Sequence, residues 1–158
     1  MIKSVEDRVK HRCRIPVSCD ACDSQKIALQ SRSLMGIRTS GKWPLVWHCE
    51  TCGAMVGCHT GTDIPLGLMA DRITRDARYR AHKAFDPLWK NGHMVKANAY
   101  AWMAKVLGIP FEQAHIGMLN ETQCEQLIKH AHGYTPPKAE RRHWSQDKRK
   151  KGRQRGGY

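Results

Sequence analysis

Acidic residues are scarce in this sequence: 14 Asp and Glu stand against 27 Lys and Arg, leaving a formal net charge of +13. Long apolar runs are missing as well. None approaches the ~20 residues that span a bilayer, so no membrane partner is expected. The opening MIKSVEDRVKHR is charged and lacks an apolar stretch, which is not the pattern of a secretory leader. A cytoplasmic location is therefore the default expectation. An even cysteine count is absent too, because the chain has seven. Complete internal pairing is impossible, and in a reducing compartment closely spaced cysteines more often bind metal than form disulfides. There is no internal repeat. At 158 residues and 41% hydrophobic content, one ordinary domain with a modest core and a tail is feasible.

What is present divides the chain into four tracts. Residues 1–14 form a basic lead-in. Residues 15–60 hold two cysteine pairs and three β-prone runs, 26–30, 43–48 and 54–58. From Leu66 the period changes: Leu66, Ala70, Ile73, Ala77, Ala81, Ala84 and Leu88 recur at steps of three and four, which predicts an amphipathic helix. Pro87 should stop or kink it at Asp86. A second helix is expected with Val95, Ala99, Trp102, Met103, Val106 and Leu107 inward, ended by Gly108 and Pro110. Phe111 to Leu119 reads as an irregular connector or short strand. Asn120 with Gln123 has capping-box spacing and opens a third helix lined by Cys124, Leu127, Ile128 and Ala131. Residues 61–135 are thus the helical part of the same domain. Residues 136–158 have too little apolar surface to offset ordering entropy and should be disordered alone. The expected class is α+β: a small zinc ribbon packed on about three helices, with a disordered basic tail. Trp43, Trp47, Trp89 and Trp102 read as core residues.

The chemistry concentrates in Cys19-Asp-Ala-Cys22 and Cys49-Glu-Thr-Cys52. Two intervening residues allow a tight turn to present two thiolates to one ion, and Gly53 suits the reversal after the second pair. The intervening tract leaves room for a hairpin that brings the pairs together. Four thiolates at tetrahedral positions make a closed structural zinc site with no position for water. One structural zinc ion is the expected cofactor, held by Cys19, Cys22, Cys49 and Cys52. Buried or disulfide-linked cysteine is one alternative. An iron–sulfur cluster, which also takes four thiolates, is another. His48 precedes a knuckle but four thiolates already suffice. Cys13 and Cys124 read as small apolar residues.

From Cys19 onward the sequence resembles an uncharacterised zinc-finger-containing protein family of bacteria and their phages. The stretches that carry the resemblance are CDAC, WHCETCGAMVGCHTGT, PLG at 65–67, AHKAFDPLW at 81–89, AYAWMAKVLGIP at 99–110 and HIGMLNETQCEQL at 115–127. They cover roughly residues 19–130. The resemblance implies a compact zinc ribbon joined to helices and implies no activity. It implies the host cytoplasm if the chain is phage-encoded. The lead-in and the basic tail lie outside the matched stretches.

Two further groups of residues stand out. His59, His82, Asp86 and His115 are polar positions that folding does not obviously require. If they converged, they would suit a second metal site or a nuclease or other hydrolase. No complete catalytic signature is present, and His82 with Asp86 also fits a helical surface pair. The second group is basic. Residues 138–158 carry nine Lys or Arg and two acids, 9 − 2 = +7, while residues 1–137 carry 18 and 12, 18 − 12 = +6. Lys148, Arg149, Lys150, Lys151, Arg153 and Arg155 form a dense cluster, and Arg141, Arg142 and Trp144 add charge beside a stacking ring. Such a segment binds phosphate backbones by counterion release with little sequence preference. Arg72, Arg75 and Lys83, on the outer face of the first helix, can extend the footprint. The expectation is a zinc-stabilised nucleic-acid-binding accessory or regulatory protein, taking DNA or RNA largely non-specifically. The alternatives are a module that grips a host protein such as a polymerase, and a metal-dependent nuclease or other hydrolase. A tail that serves only solubility is the plainest account of the charge run.

Overall fold

The structure, a computed structural model, describes residue 9, residues 12–36 and residues 44–135. The chain falls into two compact units, Met1–Asp76 and Ala77–Tyr158.

The first unit is built on an antiparallel sheet of β1 (Ile27–Ser31), β2 (Leu45–Cys49) and β3 (Met55–Gly57) in the order β1-β2-β3. Ile27 lies opposite Cys49 and Ser31 opposite Leu45, while Trp47 faces Val56 and His48 faces Met55. These strands fall within two residues of the three β-prone runs. Strand alternation puts Ile27, Trp47, Cys49 and Val56 on one face. With Cys19, Ala54 and Met69 they form the small core of the unit. The Trp47 indole N–H donates to the Asp63 carbonyl at 2.8 Å. Trp43 lies outside the described residues.

After β3 the chain departs from the expected helix. Leu66 N–H donates to the Gly57 carbonyl at 2.8 Å, and Met55 and Ala70 exchange N–H···O bonds of 2.9 and 3.2 Å. Cys58 bridges Pro65 as well. The tract 65–70 is therefore an irregular strand-like cover on the free edge of β3, which would otherwise present unpaired backbone groups. Leu66 is 39% exposed and Ile73 60%, so neither belongs to a buried helical stripe. The helix α1 (Arg72–Lys90) begins six residues later than its apolar spacing suggested. Asp71 sets the start, its carboxylate accepting the Thr74 N–H at 2.8 Å as an N-cap. Residues 61–76, grouped with the helices on sequence, lie in the first unit.

The second unit holds the rest of α1, then α2 (Lys96–Leu107), two single 3-10 turns at Phe111–Gln113 and Ile116–Met118, and α3 (Glu121–His132). Its core joins Ala77, Ala81, Phe85 and Leu88 of α1 to Ala99 and Met103 of α2, Leu119, and Cys124 and Leu127 of α3. Phe85 was absent from the sequence stripe, although it sits four residues after Ala81 and three before Leu88. Val95, expected inward, is the N-cap of α2 and 67% exposed. Trp89 and Trp102 are half-buried against the core.

Pro87 neither ends α1 nor displaces its last turn. The helix runs to Lys90, and Asn91 N–H still reaches the Pro87 carbonyl at 3.0 Å. Burial of Phe85 and Leu88 on either side of the proline, with an Asp86–Lys90 ion pair of 2.6 Å across it, outweighs the local bias. The other boundaries follow the sequence signals. Gly108 ends α2 at φ 63°, a left-handed conformation suited to glycine. Asn120 and Gln123 form a reciprocal capping box, with bonds of 2.9 and 3.0 Å. Among the described residues no helix is long and apolar enough to cross a membrane. The tail expected to be disordered, and the lead-in up to residue 8, lie outside the described residues.

Candidate metal centre

The two cysteine pairs fold into turns of the same design. In the first, Cys19 N–H donates to the Ser24 carbonyl and Asp23 N–H donates to the Cys19 carbonyl, both at 2.9 Å. In the second, Cys49 N–H donates to the Ala54 carbonyl at 2.8 Å and Gly53 N–H to the Cys49 carbonyl at 2.9 Å. Each turn closes with the residue after its second cysteine at positive φ, Asp23 at 58° and Gly53 at 76°. Gly53 was legible in the sequence. Asp23 does the same job with a residue type that tolerates this region better than most. Ser24 Oγ and Thr51 Oγ1, 2.7 Å apart, tie one turn to the other.

The result is a cluster of four sulfurs. One thiol sulfur from each of Cys19, Cys22, Cys49 and Cys52 lies within 4.8 Å of all the others. Cys19 and Cys52 are 3.6 Å apart at sulfur, and Cys22 and Cys49 are 3.7 Å apart. A tetrahedral zinc ion with Zn–S bonds of ~2.3 Å requires S···S separations of ~3.8 Å. A disulfide requires ~2.05 Å, and all seven cysteines are free thiols. The four residues therefore fit one zinc ion. Cys19 and Cys49 are fully buried and belong to the ribbon core, whereas Cys22 and Cys52 are exposed. The first two thus serve as both packing and ligand.

The thiols differ electrostatically. Burial pushes Cys19 up to about 12, against the backbone N–H groups of Ala21 and Cys22 that pull it down. Cys49 is drawn down to about 6, chiefly by the Cys52 backbone N–H, with burial opposing and the Thr51 N–H assisting. The Ser24 N–H pulls Cys22 down, but the neighbouring thiols of Cys52 and Cys49, together with desolvation, leave it above its ordinary value. Cys49 is therefore the sulfur most ready to meet a cation as a thiolate. Held by these four residues, a zinc ion would offset two of the four thiolate charges and tie the two turns together. Four sulfur donors fill its tetrahedron.

Asp20, inside the first pair, extends the site into the unit. Its carboxylate accepts the Met69 N–H at 2.8 Å and lies 3.6 Å from the Arg14 guanidinium. This clip fastens the cover strand to the metal turn across 49 positions, and nothing in the local sequence announces it.

The remaining candidates take separate places. His48 is next to Cys49 in β2, so alternation sends its side chain to the opposite face of the sheet. His59 opens the tight loop 59–64, where its backbone N–H donates to Ile64 and its carbonyl accepts from Thr62. Burial holds its imidazole below the ordinary value. In the helical unit, His82 Nδ1 is 3.3 Å from the Asp86 carboxylate, which also takes Lys90 Nζ at 2.6 Å. The His115 ring packs 5.6 Å from Tyr100, centroid to centroid. Among the described residues, the four-cysteine set is the only group of three or more His, Cys, Asp or Glu placed to hold a metal. His82, Asp86 and His115 do not make another. Cys58 and Cys124 are buried thiols, each pushed up to about 11 by burial, and they pack as apolar residues.

Of the basic residues, Arg72 is exposed with its Nε 3.8 Å from Asp76, and Lys83 is exposed with its ammonium 4.8 Å from the Tyr79 ring centre. Arg75 is not on the solvent face: it is half-buried, with one guanidinium nitrogen fully enclosed. Arg141, Arg142, Trp144, Lys148, Arg149, Lys150, Lys151, Arg153 and Arg155 lie outside the described residues.

No curated protein and no solved structure matches this chain. A family model does, over residues 15–134, a span that starts just before the first cysteine turn and ends just after α3. The four-sulfur cluster and the family description agree, and the chain belongs to the zinc-finger-containing domain family DUF3268.

Proposed function

We propose that this is a nucleic-acid-binding accessory or regulatory protein of a bacterium or its phages, folded by a structural zinc ion. The observation that carries it is the charge distribution. Residues 138–158 hold nine basic and two acidic residues at the end of a chain whose net charge is +13. A dense run of cations gains affinity for phosphate backbones mainly by releasing condensed counterions, with little regard to sequence. The zinc site supports a folding role beside this, because four thiolates leave the ion no open position for water or substrate. The exposed Arg72 and Lys83 supply cations on the surface of α1.

The test uses the full chain with Lys148, Arg149, Lys150 and Lys151 replaced by glutamine. Affinity for DNA and RNA oligonucleotides is measured across a salt series. Losing four phosphate contacts should flatten the plot of log affinity against log salt by about 3. Zinc content and helicity should not change. An unchanged slope would remove the tail from the interface, and capture of one protein partner at high salt in place of nucleic acid would favour the host-protein alternative.

A further inference from the structure

Between the C-terminal halves of α1 and α3, wholly inside the second unit, lies a cavity of about 310 Å³. Pro87, Leu88 and Ala131 give it an apolar floor. Three ring-bearing residues, His93, His132 and Tyr134, and one cation, Lys83, complete the lining, with no carboxylate among them. Lys83 and His132 are exposed, so the cavity opens to solvent on their side. The Tyr134 ring is held edge-on against Trp102, 5.5 Å between centroids, which fixes that wall.

Two features of the lining depart from good packing. Ala84 and Ala131, one from each helix, leave space beside a core that carries Phe85, Leu88 and Leu127. Side chains around such a void forgo dispersion contacts on one side. Pro87 has no N–H, so the Lys83 carbonyl one turn back loses its regular helical donor. Both residues line the cavity. Breaches of local rules gather at functional sites.

The lining also selects a ligand. The volume stands at the lower end of the ~300–1,000 Å³ usual for small-molecule sites, which suits one ring system rather than a dinucleotide. An apolar floor beneath rings favours a flat aromatic body. A lysine at the opening, with no acid in the wall, favours an anion attached to that body. A nucleotide combines the two, and only an unpaired strand offers its base unstacked. The basic tail starts close by: Lys138 follows Tyr134 by four residues, a reach of at most ~14 Å.

We propose that this cavity takes one unstacked nucleobase of a single-stranded nucleic acid, with Lys83 on the adjoining phosphate. The site rests on the nucleic-acid-binding function proposed above and deepens it, because it sets single strands apart from duplex.

The test uses full-length, zinc-loaded protein, with Ala84→Leu to fill the cavity and Lys83→Gln to remove the cation. Binding to single-stranded DNA, single-stranded RNA and duplex DNA is followed by fluorescence anisotropy across a salt series. Ala84→Leu should weaken single-strand binding about tenfold, the loss of one stacked base, and leave duplex binding and the salt slope unchanged. Lys83→Gln should weaken single-strand binding severalfold and flatten its slope by roughly 0.7. In wild type, cytidine or adenosine monophosphate should shift the amide signals of Ala84, Leu88, His93 and Ala131. If Ala84→Leu fails to fold, these shifts decide: their presence supports the site and their absence overturns it. Larger shifts with N-acetyltryptophanamide than with either nucleotide overturn the base and indicate a peptide side chain. A folded Ala84→Leu protein with wild-type single-strand affinity overturns the site and leaves nucleic-acid binding standing. Wild type that binds no nucleic acid at low salt overturns both.

Discussion

Cys49→Ser strikes the ribbon twice. It removes one of the four sulfurs, 3.7 Å from Cys22 Sγ, and it puts a hydroxyl at a fully buried core position shared with Cys19, Ala54, Val56 and Met69. Serine is not ionised at neutral pH, so the ion would be left with three thiolates. Structural zinc stabilises small zinc-finger peptides by ~10–16 kcal/mol. Val56 and Met69, the largest non-cysteine residues that are wholly buried in that core, together contribute roughly 3–6 kcal/mol by burial. The metal therefore outweighs the burial of these two side chains, and losing even a third of its contribution, ~3–5 kcal/mol, approaches the whole stability of a marginal domain. Cys52→Ser, at an exposed position, removes a donor without disturbing the core and should be the milder change. Elemental analysis should find one zinc per wild-type chain and less in Cys49→Ser. Amide hydrogen exchange should become fast in β1, β2 and β3 of the variant while α2 and α3 keep their protection. A wild type that is folded by circular dichroism yet free of metal would refute the reasoning. So would a Cys49→Ser protein with wild-type exchange in the strands.

Zinc affinity should be steeply pH-dependent. The lowered Cys49 thiol keeps its contribution at neutral pH and loses it as pH falls through about 6, while Cys19, pushed up to about 12, and the raised Cys22 must each surrender a proton on binding. Chelator competition between about pH 7 and 8 should show affinity rising at least ~100-fold per pH unit, and a flat profile would contradict this. His82→Ala should cost about 0–1 kcal/mol, because the pair is exposed at His82 and Asp86 retains Lys90 at 2.6 Å. It should leave nucleic-acid affinity within a few-fold, and the wild type should cleave neither DNA nor RNA with magnesium, manganese or zinc. Reproducible cleavage that vanishes in a folded His82→Ala protein would establish a nuclease instead. Asn120→Ala, which breaks both halves of the α3 capping box, should lower unfolding free energy by about 1 kcal/mol in urea titration, and an unshifted midpoint would count against the cap.

What the sequence determined by itself is the part whose physics is local. A cysteine pair with two residues between is a turn that offers two sulfurs, and both pairs stand where they were read. Asn120 with Gln123 and Gly108 mark helix boundaries through contacts within one turn of chain, and the structure keeps them. The three strands follow from short β-prone runs between turn residues. Tertiary structure decided the rest. Leu66, Ala70 and Ile73 have helical spacing, yet β3 had an unpaired edge and drew 65–70 into backbone bonds with Met55 and Gly57. Pro87 carries a local rule against helix, and the burial of Phe85 and Leu88 around it overrode that rule. Asp20 meets Met69, and the Arg78 guanidinium donates to the Leu119 carbonyl, only after the tertiary fold has brought them together. Such pairs lie more than 40 positions apart, where a linear pattern has no period to reveal them. Their energies come from burial and charge, which exist only once the fold has closed around them.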